Sequence, residues 1–165
     1  MNGRIRFRRP TGPAFALLLL VMGLLSPAAQ ATDAGLLDGQ TLQPVTVVTQ
    51  KGNQTFAVEF ANTRAKRARG LMFRTRLPER QGMLFDFGPD REIQMWMKNT
   101  LIPLDMIFIQ SDGRIHRIEQ NTKPRSLRVI SSNGPVRAVL EVMAGASKKY
   151  GIAPGDRIIH PLFAQ

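Results

Sequence analysis

The sequence predicts a mainly β protein: a single-domain antiparallel β-sandwich or barrel-like fold with two short helices. Three observations predict it. Short apolar runs recur along the chain, and several alternate apolar with polar residues. Turn-forming clusters separate them, as at Lys51-Gly52-Asn53, Gly88-Pro89-Asp90-Arg91, Ser111-Asp112-Gly113 and Pro154-Gly155-Asp156. The strands follow one another too closely to leave room for the regular strand–helix alternation of a parallel α/β sheet.

The chain opens on Arg4, Arg6, Arg8 and Arg9 with no acid among them. It continues into the apolar run Ala14 to Leu25 and then reaches small residues at Ala29-Gln30-Ala31. That order is a secretory signal peptide over residues 1–31, cleaved near Ala31. The apolar run is twelve residues long, against the ~20 that cross a bilayer. An uncleaved N-terminal membrane anchor is therefore the alternative rather than the expectation. Cleavage would leave the protein periplasmic or secreted. Residues 32–165 are a length suited to one domain. Their formal net charge is +7 rather than the +11 of the full chain, because four arginines leave with the leader. The chain has no cysteine. Disulfides, thiolate metal sites, iron–sulfur clusters and a cysteine nucleophile are thereby excluded, and the core alone must hold the fold.

Residues 32–44 are small and polar and read as a flexible tether to a β domain over residues 45–163. Val45 to Thr49 is β-branched, and Phe56, Val58 and Phe60 alternate with Ala57, Glu59 and Ala61, which predicts a first hairpin. Asn62-Thr63 offers an N-cap and Gly70 a C-terminal stop, bounding a two-turn helix. Met83, Phe85 and Phe87 predict a strand, Gly88 to Arg91 a turn, and Ile93, Met95 and Met97 a returning strand with Trp96 and Lys98 on its other face. Leu104 to Ile109 is the most hydrophobic strand, paired through Ser111-Asp112-Gly113 with Arg114 to Glu119. A loop over 121–128 and a turn at Asn133-Gly134-Pro135 lead to a strand with Val136, Ala138, Leu140 and Val142 inward and Arg137, Val139 and Glu141 on the opposite face. A brief helix from Ala144 to Tyr150, stopped by Gly151, and a last strand from Arg157 to His160 complete the chain.

The residues that invite chemistry lie in Met95-Trp96-Met97-Lys98-Asn99-Thr100-Leu101-Ile102-Pro103-Leu104-Asp105, which embeds an ammonium and a carboxylate in an apolar run. Charged groups are seldom buried without a partner. Either Lys98 and Asp105 tie the Asn99–Pro103 crossover together, or Trp96, Lys98, Asn99 and Asp105 edge a pocket with Arg69 nearby. Met72, Arg137 and Glu141 are secondary candidates. Met72 also suits the core, and Arg137 with Glu141 also suits a solvated bridge. His116 and His160 are the only histidines, and neither has metal-ligand spacing, so no metal or cofactor is expected. Glycine-rich phosphate loops are absent as well.

The segments Arg67-Ala68-Arg69-Gly70-Leu71-Met72-Phe73-Arg74, Gln81-Gly82-Met83-Leu84-Phe85, Trp96 through Asp105, Gly134-Pro135-Val136-Arg137-Ala138-Val139-Leu140-Glu141, Tyr150-Gly151-Ile152 and Gly155-Asp156 together resemble the DUF192 family, a domain of unknown function. The resemblance covers about residues 45–160. It implies a mainly β domain, often behind a signal or anchor segment, and no established activity, cofactor or catalytic residue. Members often carry Pro-Glu-Glu at the start of the first helix, where this chain has Arg64-Ala65-Lys66.

Three functional readings follow. The first is an exported binding or accessory domain for a small polar or anionic envelope ligand. The second is a hydrolase of cell-envelope glycans, with Asp105 and Glu141 as its carboxylates; whether the protein is an enzyme stays open. The third is a structural or interaction protein with no pocket, which touches anionic envelope surfaces through Arg64, Lys66, Arg67 and Arg74. Nucleic acid is a poor partner for an exported chain with one tryptophan and one tyrosine.

Overall fold

The computed structural model of the protein describes residues 41–163, so the expected signal peptide and most of the expected tether lie outside the described residues. The first strand, β1 (Leu42–Thr49), begins three residues earlier than the hydrophobic pattern suggests. It forms the expected antiparallel hairpin with β2 (Gly52–Ala61). Helix α1 (Arg64–Arg69) follows, and its ends are set locally. The Thr63 hydroxyl accepts from the Lys66 amide at 3.2 Å, and Gly70 at φ +48° closes the last turn onto Lys66.

β3 (Gln81–Met95), β4 (Leu104–Ile109), β5 (Ile115–Glu119), β6 (Ile130–Met143), α2 (Ala146–Tyr150), β7 (Arg157–Ile159) and a 3₁₀ turn at Pro161–Phe163 complete the order. The strands make one seven-stranded sheet, β5-β4-β6-β3-β2-β1-β7. It is mainly β with two short helices, as expected, and curls into a half-barrel. The β7 edge reaches the start of β5 through an Arg114–Arg157 bridge. The Ile115 amide adds a bond to the Asp156 carbonyl, and the Ile158 amide one to the Gly113 carbonyl. The sheet is mixed rather than wholly antiparallel. β2 and β3 run parallel, with α1 in the crossover between them.

Two expected turns are bulges instead. Gly88 to Arg91 does not reverse the chain. The strand continues, and both of its halves pair with β6: Gly82–Asp86 with Ala138–Val142, and Arg91–Met95 with Ile130–Val136. Asn133-Gly134-Pro135 likewise stays inside β6, where the register slips between Glu92 and Gln94. Positive φ angles at Gly88 (+80°) and Asn133 (+54°) serve a bulge as well as a hairpin turn, so residue type alone does not separate the two.

Both faces of the central strands are covered, and all six residues of β4 are buried. Inside the curl, Val45, Phe56, Val58, Leu84, Ile107, Leu140 and Val142 form one apolar cluster, closed by Tyr150 and Phe163. On the convex face, Met83, Phe85, Met97, Met106, Phe108 and Val139 form a second, closed by Leu71, Leu77, Ile102 and Ile130. The face carrying Val139 and Glu141, expected to meet water, is therefore a core face, because the segment after α1 and the Ile102 loop cover it. Among the described residues, both clusters and every strand lie within Leu42–Phe163, a span that residues 32–165 contain in full.

β3 and β6 approach closely at Gly82. A Cβ there would stand 2.3 Å from the Glu141 carbonyl oxygen. Gly82→Ala is expected to cost at least about 2 kcal/mol, read as a lowered urea midpoint. An unchanged midpoint would contradict this packing.

Candidate functional site

The convex face carries a row of side chains that the sheet register defines. Glu59 lies opposite Met83, Met83 opposite Glu141, Glu141 opposite Met106, and Met106 opposite Glu119. Residues opposite one another share a face, so three glutamates alternate with two methionines across five strands. The outer two are neutralised. The Arg74 guanidinium grips Glu59 with both nitrogens, one at 2.8 Å from Oε2. Glu119 binds Arg117 at 2.6 Å and also Arg128. Burial alone would raise the Glu119 pKa, but the Arg128 and Arg117 hydrogen bonds hold it below the usual range.

Glu141, in the middle, is different. It is buried, and its carboxyl has no hydrogen-bond or ion-pair partner among the described residues. Burial pushes its pKa up to about 8. At neutral pH the group is a neutral carboxylic acid with one donor and spare acceptor capacity. It stands in a cavity of about 370 Å³ beneath α1, which Arg64, Arg67, Arg69, Arg91, Met72 and Trp96 also line.

The arginines are not equivalent. Arg67 donates to the Asp86 carbonyl at 2.8 Å and the Asn62 carbonyl at 3.0 Å. Arg91 donates to the Phe87 carbonyl at 2.8 Å. The side chains of Arg64 and Arg69 are exposed and have no hydrogen-bond or ion-pair partner among the described residues. Arg69 and Gly70 also line a neighbouring cavity of about 460 Å³ that holds the Glu59–Arg74 pair and Lys66. Of the four cations expected to meet an anionic surface, Arg67 and Arg74 are thus committed internally, while Arg64 and Lys66 are exposed.

The residues singled out in the sequence divide. Trp96, Arg69, Met72 and Glu141 come together around one cavity. Lys98 shares the outer face with Trp96 and places its ammonium 5.3 Å from the indole centroid, but it does not line that cavity. Asn99 is an exposed turn residue at φ +58°. Its carbonyl accepts from the Phe73 amide at 2.9 Å, and its side-chain amide lies 4.0 Å from the Met72 sulfur. Arg137 pairs with Asp86 at 3.4 Å rather than with Glu141.

Asp105 does not join the pocket and does not orient Lys98. Its register partner is Val142, the neighbour of Glu141, so Asp105 and Glu141 project from opposite faces of the sheet. Its oxygens accept from the backbone amides of Asn121 (2.9 Å), Gly145 (3.2 Å) and Ser147 (2.9 Å). A carboxylate so engaged is a clamp between loops. Sequence reasoning missed Arg91 and ranked Glu141 too low. The available signal was Val139 beside it, which showed that this face of β6 was not polar. No group of three His, Asp or Glu side chains that could hold a metal was found among the described residues.

Fold and cavity together define a class: a small, mainly β domain with a cation-rimmed cavity above a buried acid. The chain belongs to the DUF192 family, described as "Uncharacterized ACR, COG1430", whose profile matches residues 46–160. It is similar to a solved protein from Sinorhizobium meliloti 1021 described as a proposed transcription regulator (R01717). Identity is 45%, the match covers 73% of this chain and 94% of that one, and the TM-score is 0.70. It is also similar to a protein of unknown function from Novosphingobium aromaticivorans DSM 12444, at 40% identity, covering 76% of this chain and 90% of that one, with a TM-score of 0.73. No curated protein matches the chain.

Proposed function

We propose that this protein is an exported binding domain for a small anionic ligand that also carries a hydroxyl, carboxyl or amide group. The leader-like residues 1–31 support export to the periplasm. The observation that carries the binding reading is Glu141, an unpartnered buried acid in a cavity bordered by two free guanidinium groups. A neutral acid does not repel an anion, and it offers both a donor and an acceptor. Arg64 and Arg69 supply the charge, and bidentate guanidinium contacts suit a carboxylate or phosphate. Trp96 and Met72 offer an apolar wall for the rest of the ligand.

Trp96 is the only tryptophan and reports on the cavity directly. Titrating residues 32–165 with citrate, inorganic phosphate, glycerol phosphate and galacturonate is expected to change Trp96 emission saturably for at least one of them. Arg69→Ala should weaken that binding at least tenfold, about 1.4 kcal/mol. No change with any of the four, or equal affinity in Arg69→Ala, would overturn the reading.

The glycan-hydrolase reading loses the acid pair it rested on, because Asp105 and Glu141 occupy opposite faces of the sheet.

A further inference from the structure

Four large apolar side chains are exposed near the cavity mouth: Phe73 (58%), Trp96 (50%), Leu127 (68%) and Val129 (53%). Backbone ties bring them together. Met95 lies opposite Ile130, and the Met97 amide bonds the Ser126 carbonyl at 3.1 Å. Trp96 sits between those two ties, so Leu127, Arg128 and Val129 bow out directly beside it. Phe73 joins from the other side, since its amide bonds the carbonyl of Asn99, three residues past Trp96. Phe73 is held there at φ +66°, a backbone conformation that costs a bulky side chain energy. The fold holds that strain while leaving the ring in water.

Cations surround this rim. Arg69, Lys98, Lys123 and Arg125 are exposed and form no ion pair with a carboxylate among the described residues. The nearby acid Glu119 is already taken by Arg117 and Arg128. Aromatic and aliphatic tips set among cations that no carboxylate neutralises match a surface that is apolar below and anionic above.

We infer that this rim docks on an anionic lipid surface, with Phe73, Trp96, Leu127 and Val129 entering the headgroup layer while Lys98, Lys123 and Arg125 meet the lipid phosphates. Charge complementarity selects lipid over a second copy of the chain, which would bring its own cations to the same rim. The cavity reading does not depend on this docking, and each can fail alone.

The test uses residues 32–165 with vesicles of phosphatidylglycerol and of phosphatidylcholine at low salt. The expected result is co-sedimentation with the anionic vesicles at least tenfold stronger than with the zwitterionic ones, together with a blue shift of Trp96 emission. The double variant Phe73→Ser/Leu127→Ser keeps Trp96 and changes only exposed side chains, so its circular dichroism and melting temperature should match the parent. It should lose at least tenfold in vesicle binding. The inference is overturned by absence of vesicle binding, by binding that leaves Trp96 emission unmoved and the double variant unaffected, or by a lipid-free dimer that the double variant abolishes.

Discussion

Replacing Glu141 with glutamine is expected to flatten the stability of the protein between about pH 5 and pH 8, a window in which the parent loses several kcal/mol. The folded-state pKa is raised to about 8 from 4.5. Inside that window the unfolded chain has lost the proton and the folded chain still holds it. Folding then takes up a proton, and stability falls as pH rises, by at most about 1.4 kcal/mol per unit. Below the window both states are protonated; above it both are ionised and the loss is complete. Glutamine cannot ionise, so Glu141→Gln should match the parent to within about 1 kcal/mol near pH 5 and exceed it by several kcal/mol near pH 8.5. Urea unfolding at the two pH values reads this difference. Comparing variant with parent removes other titrations, among them buried His160, whose pKa burial lowers. A gap that does not change with pH would mean that Glu141 is ionised in the folded state.

Asp105→Ala is expected to be among the most destabilising single substitutions, at about 3–5 kcal/mol. The carboxylate is fully buried and receives three backbone amides from two segments distant in sequence. Removing it leaves the amides of Asn121, Gly145 and Ser147 without an acceptor while they stay largely out of water. Asp105→Asn keeps one carbonyl oxygen and should fall between the two. Thermal unfolding of the three proteins checks the order. If Asp105→Ala lost less than about 1 kcal/mol, the clamp would be incidental and Asp105 would be available for another role.

Where local chemistry decided the outcome, the sequence was readable. Thr63 and Gly70 bound α1 because a hydroxyl and a free φ are what a helix end needs. Leu104 to Ile109 is a strand at the residues expected, because an apolar run bounded by Pro103 and the Ser111-Asp112-Gly113 turn admits little else. Among the pocket residues, Trp96 stands out as the one aromatic beside polar groups in an apolar run, and Arg69 and Met72 as side chains flanking a helix end. Long-range pairing was not visible. The bulges at Gly88 and Asn133, and the parallel β2–β3 pair, depend on which strand finds which, and that is absent from any local pattern. For the same reason the sequence points Asp105 toward Lys98 in the same run, whereas its partners are amides up to 42 residues away. Glu141 stays a secondary candidate in the sequence, open to a cavity or to a solvated bridge, because alternation reveals which residues share a face but not whether that face is covered.

The binding chemistry of the cavity depends on the protonation state of one side chain. Carbon-13 NMR titration of the side-chain carboxyl carbons in residues 32–165, with Glu141→Gln to assign the resonance, measures it directly. One glutamate is expected to titrate at about 8 and to vanish in the variant. A Glu141 resonance titrating near the ordinary value of 4.5 would contradict it, and with it the neutral acid at the centre of the cavity.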